Sequence, residues 1–281
     1  MMKVDKKIKE FLKKWLPPAI VELIRRKKAR PANENGAWKV VWSGDYGSWE
    51  EAKKVSGGYD ALEILNKVKE ACLKVKKGEA IYERDSVLFD EIQYSWPILA
   101  ALMWISAQCR GELNIVDFGG SLGTTYFQNK RFLDAIPKVR WNIVEQRHFV
   151  DEGKKHFEDD VIKFFYDIET CVREISPAAI LLSSVVQYLP NPYQFLEKVR
   201  GMKFKFILFD RTPFVDGERD ILTVQKVSPE IYPASYPCWF FSRKKFYAFF
   251  ENEYELIARF EALDRANIPS TFEGCILRKK A

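Results

Sequence analysis

Short apolar runs alternate with amphipathic helical patterns from residue 113 onward. This alternation is typical of βαβ units and predicts a parallel sheet. Five of the runs predict parallel strands, at residues 114–117, 141–145, 162–166, 179–182 and 204–209. Two later runs, at 254–263 and 273–278, are joined by a short loop that holds Pro269 and predict a closing antiparallel hairpin. The pattern therefore predicts an α/β domain with seven strands.

Helical spacing dominates the first 110 residues. Apolar residues at 8, 11, 12, 15 and 16 share one face of a helix, which Pro17 and Pro18 end, and residues 19–28 predict a second helix. Further helices are predicted over 60–78 and, with a kink near Pro97, over 88–108. We therefore predict a basic amphipathic helical segment at 1–30, a helical cap region at 31–110 and the main domain at 111–281. Residues 212–252 form an insertion in this main domain.

Positive charge is concentrated at the N-terminus. The formal net charge of the chain is +6, and residues 1–30 hold eleven Lys/Arg and three Asp/Glu, which leaves the remainder slightly acidic. Nucleic-acid enzymes spread basic residues over the working face, so we predict no nucleic-acid partner. The basic helix within residues 3–28 suits binding to an anionic membrane surface or packing on its own domain, and both interpretations stay open.

Composition bears on location and on metals. No apolar run is long enough to span a bilayer, and no secretory signal precedes the domain, so we expect a cytoplasmic protein with the option of peripheral binding at the inner membrane face. The five cysteines are widely spaced and predicted to be reduced. With only His148 and His156 available, we predict no metal site, with a carboxylate-bound Mg²⁺ as the open alternative.

A glycine-rich turn follows the first predicted strand and precedes a helix. Such a turn offers free backbone N–H groups and close approach to a ligand. A dinucleotide motif requires glycine at 119, 121 and 124, of which the chain has one, whereas the turn of S-adenosylmethionine enzymes requires 119, 121 and 123, of which it has two. A tight turn without a ligand is the alternative. The predicted cofactor residues here are Asp117, Gly119, Gly120, Ser121 and Gly123.

Acidic residues end the next two predicted strands. Glu145, followed by Gln146, can accept both hydroxyl hydrogens of an adenosine ribose, with an ordinary strand-end charge as the alternative. Asp167 can accept a hydrogen bond from an adenine amine, and capping the following helix is an equally good interpretation.

Four segments together resemble class I S-adenosylmethionine-dependent methyltransferases: residues 117–123, 144–146, 182–190 and 209–213. More narrowly, they resemble bacterial methyltransferases found alongside cell-surface polysaccharide biosynthesis. The resemblance implies a Rossmann-like seven-stranded sheet whose last strand is antiparallel, S-adenosylmethionine as cofactor, and an N-terminal helical extension that covers the site. It also implies O-methylation of a sugar in a cell-surface polysaccharide or its lipid-linked precursor, hence a glycan or glycolipid acceptor. Ser121 departs from the glycine of this family.

The resemblance also implies roles for residues after the fourth and fifth strands. Four residues just past the fourth strand would lie beside the methionine and the transferable methyl group of the cofactor: Ser183, Ser184, Gln187 and Tyr188. Helix capping is the alternative for Ser183 and Ser184.

A sugar hydroxyl loses its proton as it attacks, and Asp210 and Tyr188 are the candidate bases. Arg211 either orients an anionic acceptor or pairs with Asp210. Aromatic residues of the insertion suit a lid or a sugar-stacking surface: Tyr232, Tyr236, Trp239, Phe240 and Phe241. The alternative function is a catalytically silent cofactor-binding or scaffolding protein at the membrane surface.

Overall fold

The computed structural model describes residues 40–57, 61–84, 87–228 and 234–280. The helices predicted over residues 1–30 lie outside these ranges. Among the described helices, none combines the length and the apolar character needed to cross a bilayer. All five cysteines are described, and all are free thiols.

Strands and helices alternate through most of the described chain. The strands are β1 (Val40–Ser43), β2 (Tyr82–Arg84), β3 (Val87–Phe89), β4 (Glu112–Phe118), β5 (Lys138–Val144), β6 (Ile162–Phe165), β7 (Ala179–Ser183), β8 (Phe206–Val215), β9 (Ile221–Val227), β10 (Ala234–Ser242), β11 (Tyr254–Glu261) and β12 (Thr271–Lys279). The helices are α1 (Trp49–Val55), α2 (Ala61–Lys76), α3 (Trp96–Gln108), α4 (Thr124–Leu133), α5 (Arg147–His156), α6 (Ile168–Ile175), α7 (Pro192–Gly201) and α8 (Arg243–Phe250), and a 3₁₀ turn covers Val186–Tyr188.

Seven strands form the central sheet in the order β6, β5, β4, β7, β8, β12, β11. All of them run in one direction except β12, which is antiparallel to both of its neighbours. The predicted α/β fold class, with a seven-stranded Rossmann-like sheet and an antiparallel last strand, is confirmed for this sheet. The central strands are apolar on both faces because helices cover both sides of the sheet.

Two hydrophobic cores lie on opposite faces of the sheet. One is formed with side chains of α2, α3, α4 and α5, and the other with side chains of α6, α7 and α8. Phe246 and Phe250 of α8 pack their rings on Phe209 at centroid distances of 5.0 and 5.6 Å, the core role that their helical spacing predicts. The sheet is therefore shielded from water on both faces along its centre.

The predicted insertion extends the sheet. Residues 212–215 belong to β8, the end of which pairs in parallel with β10 through Phe214 and Phe241. Strand β10 pairs antiparallel with β9, which pairs with β1. Phe240 and Phe241 are fully buried, so the lid or stacking role predicted for these two rings is wrong. Tyr232 lies outside the described residues.

The described part of the region before the central sheet, from residue 40 onward, holds three helices and also strands that the sequence pattern did not predict. Strand β1 joins the sheet extension, and β2 and β3 form a separate hairpin. The helix predicted over 88–108 begins only at Trp96, because Pro97 occupies its first turn, where the missing N–H costs nothing. Residues 87–89 form β3 instead.

Gly274 supports the packing of the closing hairpin. A Cβ atom at this position would lie 2.6 Å from the carbonyl oxygen of Phe209 and would also overlap the ring of Phe260. We expect Gly274→Ala to lower the free energy of unfolding by about 1–3 kcal/mol, because the backbone of β8 must move. Urea denaturation measures this change.

Gly217→Ala is the matched control, because a Cβ there meets no atom within 4 Å. Its free energy of unfolding should stay within about 0.5 kcal/mol of the wild type. Equal free energies of unfolding for Gly274→Ala and Gly217→Ala would contradict the close packing at Gly274.

Candidate functional site

A cavity of about 460 Å³ opens at the carboxyl ends of β4, β5 and β7. Ligands of open α/β sheets bind at this edge, because strand ends and helix N-termini converge there. We call it the first cavity. Most of the predicted cofactor residues line it: Asp117, Gly119, Gly120, Ser121, Glu145, Gln146, Ser183 and Ser184. Tyr188 and Arg211 line it too.

The glycine turn after β4 is tightly packed. Gly119 has φ +72°, and a Cβ there would overlap the side chain of Val185, while a Cβ at Gly120 would overlap the carboxylate of Asp117. Gly123, with φ +96°, turns the chain into α4 and does not line the cavity. Ser121 has φ +54°, in the left-handed region that costs a side-chain-bearing residue about 1–2 kcal/mol. Ser121 thus adopts a backbone conformation that favours glycine, the residue that the motif has at this position.

Asp117 lies beneath this turn, almost wholly buried. Its Oδ2 accepts a hydrogen bond from Trp141 Nε1 at 3.0 Å. Burial raises the pKa of Asp117 to about 7; the Trp141 hydrogen bond opposes this rise, and the nearby Glu145 carboxylate adds to it. A cation in the cavity would stabilise the ionised form of Asp117.

Glu145 is held at the end of β5 by two backbone donors. Its Oε1 accepts from the Ser121 N–H at 3.3 Å, and its Oε2 accepts from the Gln146 N–H at 2.6 Å. Burial raises the pKa of Glu145, and both hydrogen bonds oppose this rise. Because each carboxylate oxygen can accept more than one hydrogen bond, the group retains capacity for two ligand hydroxyls.

Asp167 takes the helix-cap role that the sequence left open. Asp167 is exposed and lines neither the first cavity nor a smaller cavity beside it. Its Oδ1 accepts the Thr170 N–H at 2.7 Å at the start of α6. Hydrogen bonding to Thr170 lowers the pKa of Asp167. No adenine contact follows from this arrangement.

Gln187 also lines neither the first cavity nor the smaller cavity beside it, because its side chain is fully buried beneath them. Its Nε2 donates to Ser184 Oγ at 3.2 Å and to the Arg211 carbonyl at 3.1 Å. The catalytic contact that the resemblance implies for Gln187 is replaced by a positioning role, since it holds two residues that do line the first cavity.

A second cavity, of about 210 Å³, adjoins the first. Both are lined by Arg84, Thr124, Thr125, Ser183 and Arg211. Asp210, at the last β7–β8 pair, lines only the second cavity, and its Oδ2 accepts from Ser183 Oγ at 3.5 Å. Burial raises the pKa of Asp210 to about 6, against the opposing positive charge of Arg211. Ser183 therefore contacts both cavities and the buried carboxylate.

Arg211 pairs with Asp264, and not with Asp210 as one interpretation of the sequence expected. Its Nε and Nη2 donate to the two Asp264 carboxylate oxygens at 2.9 and 3.1 Å. Asp264 belongs to the loop between β11 and β12, so this ion pair ties the closing hairpin to the middle of β8.

Tyr188 is part of a hydrogen-bonded chain at the wall of the first cavity. Its hydroxyl donates to Gln225 Oε1 at 2.9 Å, and Gln225 Nε2 donates to the Tyr236 hydroxyl at 3.1 Å. The two tyrosine rings meet edge to face at 5.3 Å. Because the Tyr188 proton is directed to an amide oxygen of the sheet extension, Asp210 is the better candidate base.

Several residues from the region before the sheet line the first cavity and are not among the predicted site residues. Glu83 is buried in the wall of the first cavity, where its Oε2 accepts from Thr124 Oγ1 at 2.7 Å. Trp49 and Arg84 line the same cavity. Thr124 carried a signal, because it directly follows the glycine turn, and Arg84 lies in a segment that also resembles the methyltransferases of polysaccharide biosynthesis. Among the described residues, no cluster of three or more His, Cys, Asp or Glu side chains can hold a metal ion.

No protein-family model matches the chain, and no curated protein sequence matches it. Among solved structures, the N-terminal domain of EvdMO1, determined with S-adenosylhomocysteine and D-fucose, aligns with a TM-score of 0.47 and 14% identity over 79% of this chain and 98% of that one. These values do not bear on the activity of this chain.

Two further solved structures align comparably. The 1,6-didemethyltoxoflavin-N1-methyltransferase of Burkholderia thailandensis, with bound 1,6-didemethyltoxoflavin and S-adenosylhomocysteine, has a TM-score of 0.43 and 12% identity over 80% of this chain and 95% of that one. Magnesium protoporphyrin IX methyltransferase of Synechocystis PCC 6803, with bound S-adenosylmethionine, has a TM-score of 0.43 and 9% identity over 79% and 100%.

The raised pKa of Asp117 makes stability depend on pH. The native carboxyl keeps its proton up to about pH 7, whereas an unfolded aspartate loses it near about pH 3.9. This carboxyl therefore lowers the stability of the wild type as pH rises from about 4 to 7, and the neutral Asp117→Asn variant lacks this contribution. Relative to wild type, the variant should gain stability over this range, by on the order of 4 kcal/mol at most.

Urea denaturation of both proteins at pH 4.5, 6 and 8 measures this difference. A difference in unfolding free energy that stays constant with pH would contradict the raised pKa.

Proposed function

We propose that this chain is an S-adenosylmethionine-dependent methyltransferase. The observation that carries the proposal is the Glu145 carboxylate, which two backbone N–H groups hold at the wall of the first cavity, beside the glycine turn. Such an acceptor-only group suits the two hydroxyls of an adenosine ribose. The cavity volume also lies in the range of small-molecule sites, about 300–1,000 Å³.

Charge in the first cavity favours this cofactor over a dinucleotide. The carboxylates of Asp117 and Glu145 both line it beside the glycine turn. Glu145, and Asp117 in its ionised form, would repel the pyrophosphate of a nicotinamide dinucleotide and attract the ammonium and sulfonium groups of S-adenosylmethionine. The close packing at Gly119 and Gly120 supports a ligand that approaches the backbone itself.

Asp210 is the proposed general base. When bound, S-adenosylmethionine supplies a methyl group that an acceptor takes by direct displacement, so the protein chiefly has to align the two reactants. Asp210 lines the second cavity beside Ser183 and Arg211, which line both cavities, and with a pKa of about 6 it is mostly ionised at neutral pH. It accepts the proton of an acceptor hydroxyl as that oxygen attacks. Ser183 donates to Asp210 and orients the carboxylate.

The proposed acceptor is a sugar hydroxyl of a cell-surface polysaccharide or its lipid-linked precursor, hence a glycan or glycolipid. The buried base at the end of the second cavity supports a neutral hydroxyl acceptor. The narrower choice of glycan rests on the resemblance of four sequence segments to methyltransferases of polysaccharide biosynthesis. The first cavity and the second cavity would then hold cofactor and acceptor, respectively.

The first test is calorimetric titration with S-adenosylhomocysteine, with NAD as the control ligand. We expect micromolar binding of S-adenosylhomocysteine alone, and Glu145→Ala should weaken it at least tenfold, which is about 1.4 kcal/mol, because the ribose hydroxyls lose their acceptor. Asp134→Ala, which removes an exposed carboxylate outside both cavities, is the matched control. An unchanged affinity in Glu145→Ala would refute the ribose assignment.

We also propose that the basic N-terminal segment holds the protein at the inner membrane face. Each basic residue near an anionic surface contributes about 1 kcal/mol, and residues 1–30 contain eleven. Deletion of residues 2–30 should therefore abolish sedimentation with vesicles that contain phosphatidylserine. Vesicles of phosphatidylcholine alone are the control. Retained sedimentation of the truncated protein would refute this role.

A further inference from the structure

We propose that the second cavity binds one sugar ring of the acceptor against the indole of Trp96, with a ring hydroxyl directed to Asp210. The inference rests on the proposed function and deepens it, because it names the group that recognises the acceptor. Trp96, Gln93 and Ser95 line this cavity and do not belong to the predicted site residues.

Trp96 is an exposed aromatic residue with a fixed position. Its side chain is 59% exposed at the first residue of α3, yet it lines the second cavity. The indole packs against Tyr94 at a centroid distance of 4.8 Å and against Phe132 at 5.9 Å, and these two rings are in contact at 5.4 Å. An indole supported by two rings and open to solvent offers a rigid apolar surface at low entropic cost.

The remaining walls suit a polyhydroxylated ring. Gln93, Ser95, Arg84 and Asp210 provide donors and acceptors within the same cavity as Trp96. Sugars combine an apolar C–H face with a rim of hydroxyls, so they need an aromatic surface on one side and hydrogen-bonding groups around it. The cavity combines both features.

A cationic occupant fits this cavity less well. Two of its three carboxylates are already paired, Asp264 with Arg211 and Glu261 with Arg265. A quaternary ammonium also needs aromatic faces around it, whereas Tyr94 and Trp96 pack on each other with an interplanar angle of 36°. The charge balance and the ring geometry therefore favour a neutral ring.

The size of the second cavity limits it to one ring. Its volume of about 210 Å³ lies below the range of about 300–1,000 Å³ that holds drug-sized ligands. Trp96 and Leu263, which is 62% exposed, both line it and both reach solvent. A longer glycan would bind with the methylated ring inside and the rest of the chain in solvent.

The experiment uses saturation-transfer NMR on the full chain saturated with S-adenosylhomocysteine. The probes are the methyl glycosides of glucose, galactose, mannose and rhamnose, and tetramethylammonium is the cationic comparison. We expect saturation transfer to the ring protons of at least one glycoside. This saturation-transfer signal should fall at least fivefold in Trp96→Ala and should be partly retained in Trp96→Phe. Leu256→Ala, an exposed apolar residue of β11 outside both cavities, should behave as wild type.

Affinity for S-adenosylhomocysteine separates the possible failures. It should stay within twofold of wild type in Trp96→Ala, which also shows that the variant is folded. The inference would be overturned if Trp96→Ala left glycoside binding unchanged, if no glycoside bound at all, or if tetramethylammonium bound preferentially. Failure of the wild type to bind S-adenosylhomocysteine would instead overturn the proposed function.

Discussion

Strand β8 is the element on which the rest of the structure depends. Strand β12 pairs along one of its edges, while the other edge pairs first with β7 and then with β10. The change of partner falls between Asp210, which is opposite Ser183, and Phe214, which is opposite Phe241. Because the pairing with β7 ends at Asp210 and the pairing with β10 begins only at Phe214, this edge of β8 is unpaired between the two residues. Ser183 and Arg211, on either side of the opening, line both cavities.

Backbone strain is concentrated at the same place. Three residues with side chains and positive φ angles near +53° line the first cavity: Ser121, Ser184 and Arg211. Such conformations persist where surrounding contacts determine them, and they are typical of functional sites. Glu145 accepts the Ser121 N–H, Asp264 pairs with Arg211, and buried Gln187 bonds to both Ser184 and Arg211. Buried polar groups thus hold the strained residues in place.

The sequence pattern was sufficient to predict the strands of the central sheet and the chemically active residues at the strand ends. Seven apolar runs became the seven central strands, because the alternation of strand and helix patterns is a property of adjacent residues. The glycine turn and Glu145 could also be predicted, since both follow directly from where a parallel strand ends. The last hairpin was visible from two runs separated by a short loop.

Contacts between side chains that are far apart in the sequence became visible in the tertiary structure alone. Arg211 pairs with Asp264, Gln187 is buried beneath the site, and Trp96 reaches the second cavity from the region before the sheet. The insertion joined the sheet and buried Phe240 and Phe241, although its aromatic content also suited a lid. Contacts between residues far apart in the chain depend on how the helices and strands pack, and local hydrophobic patterns do not specify that packing.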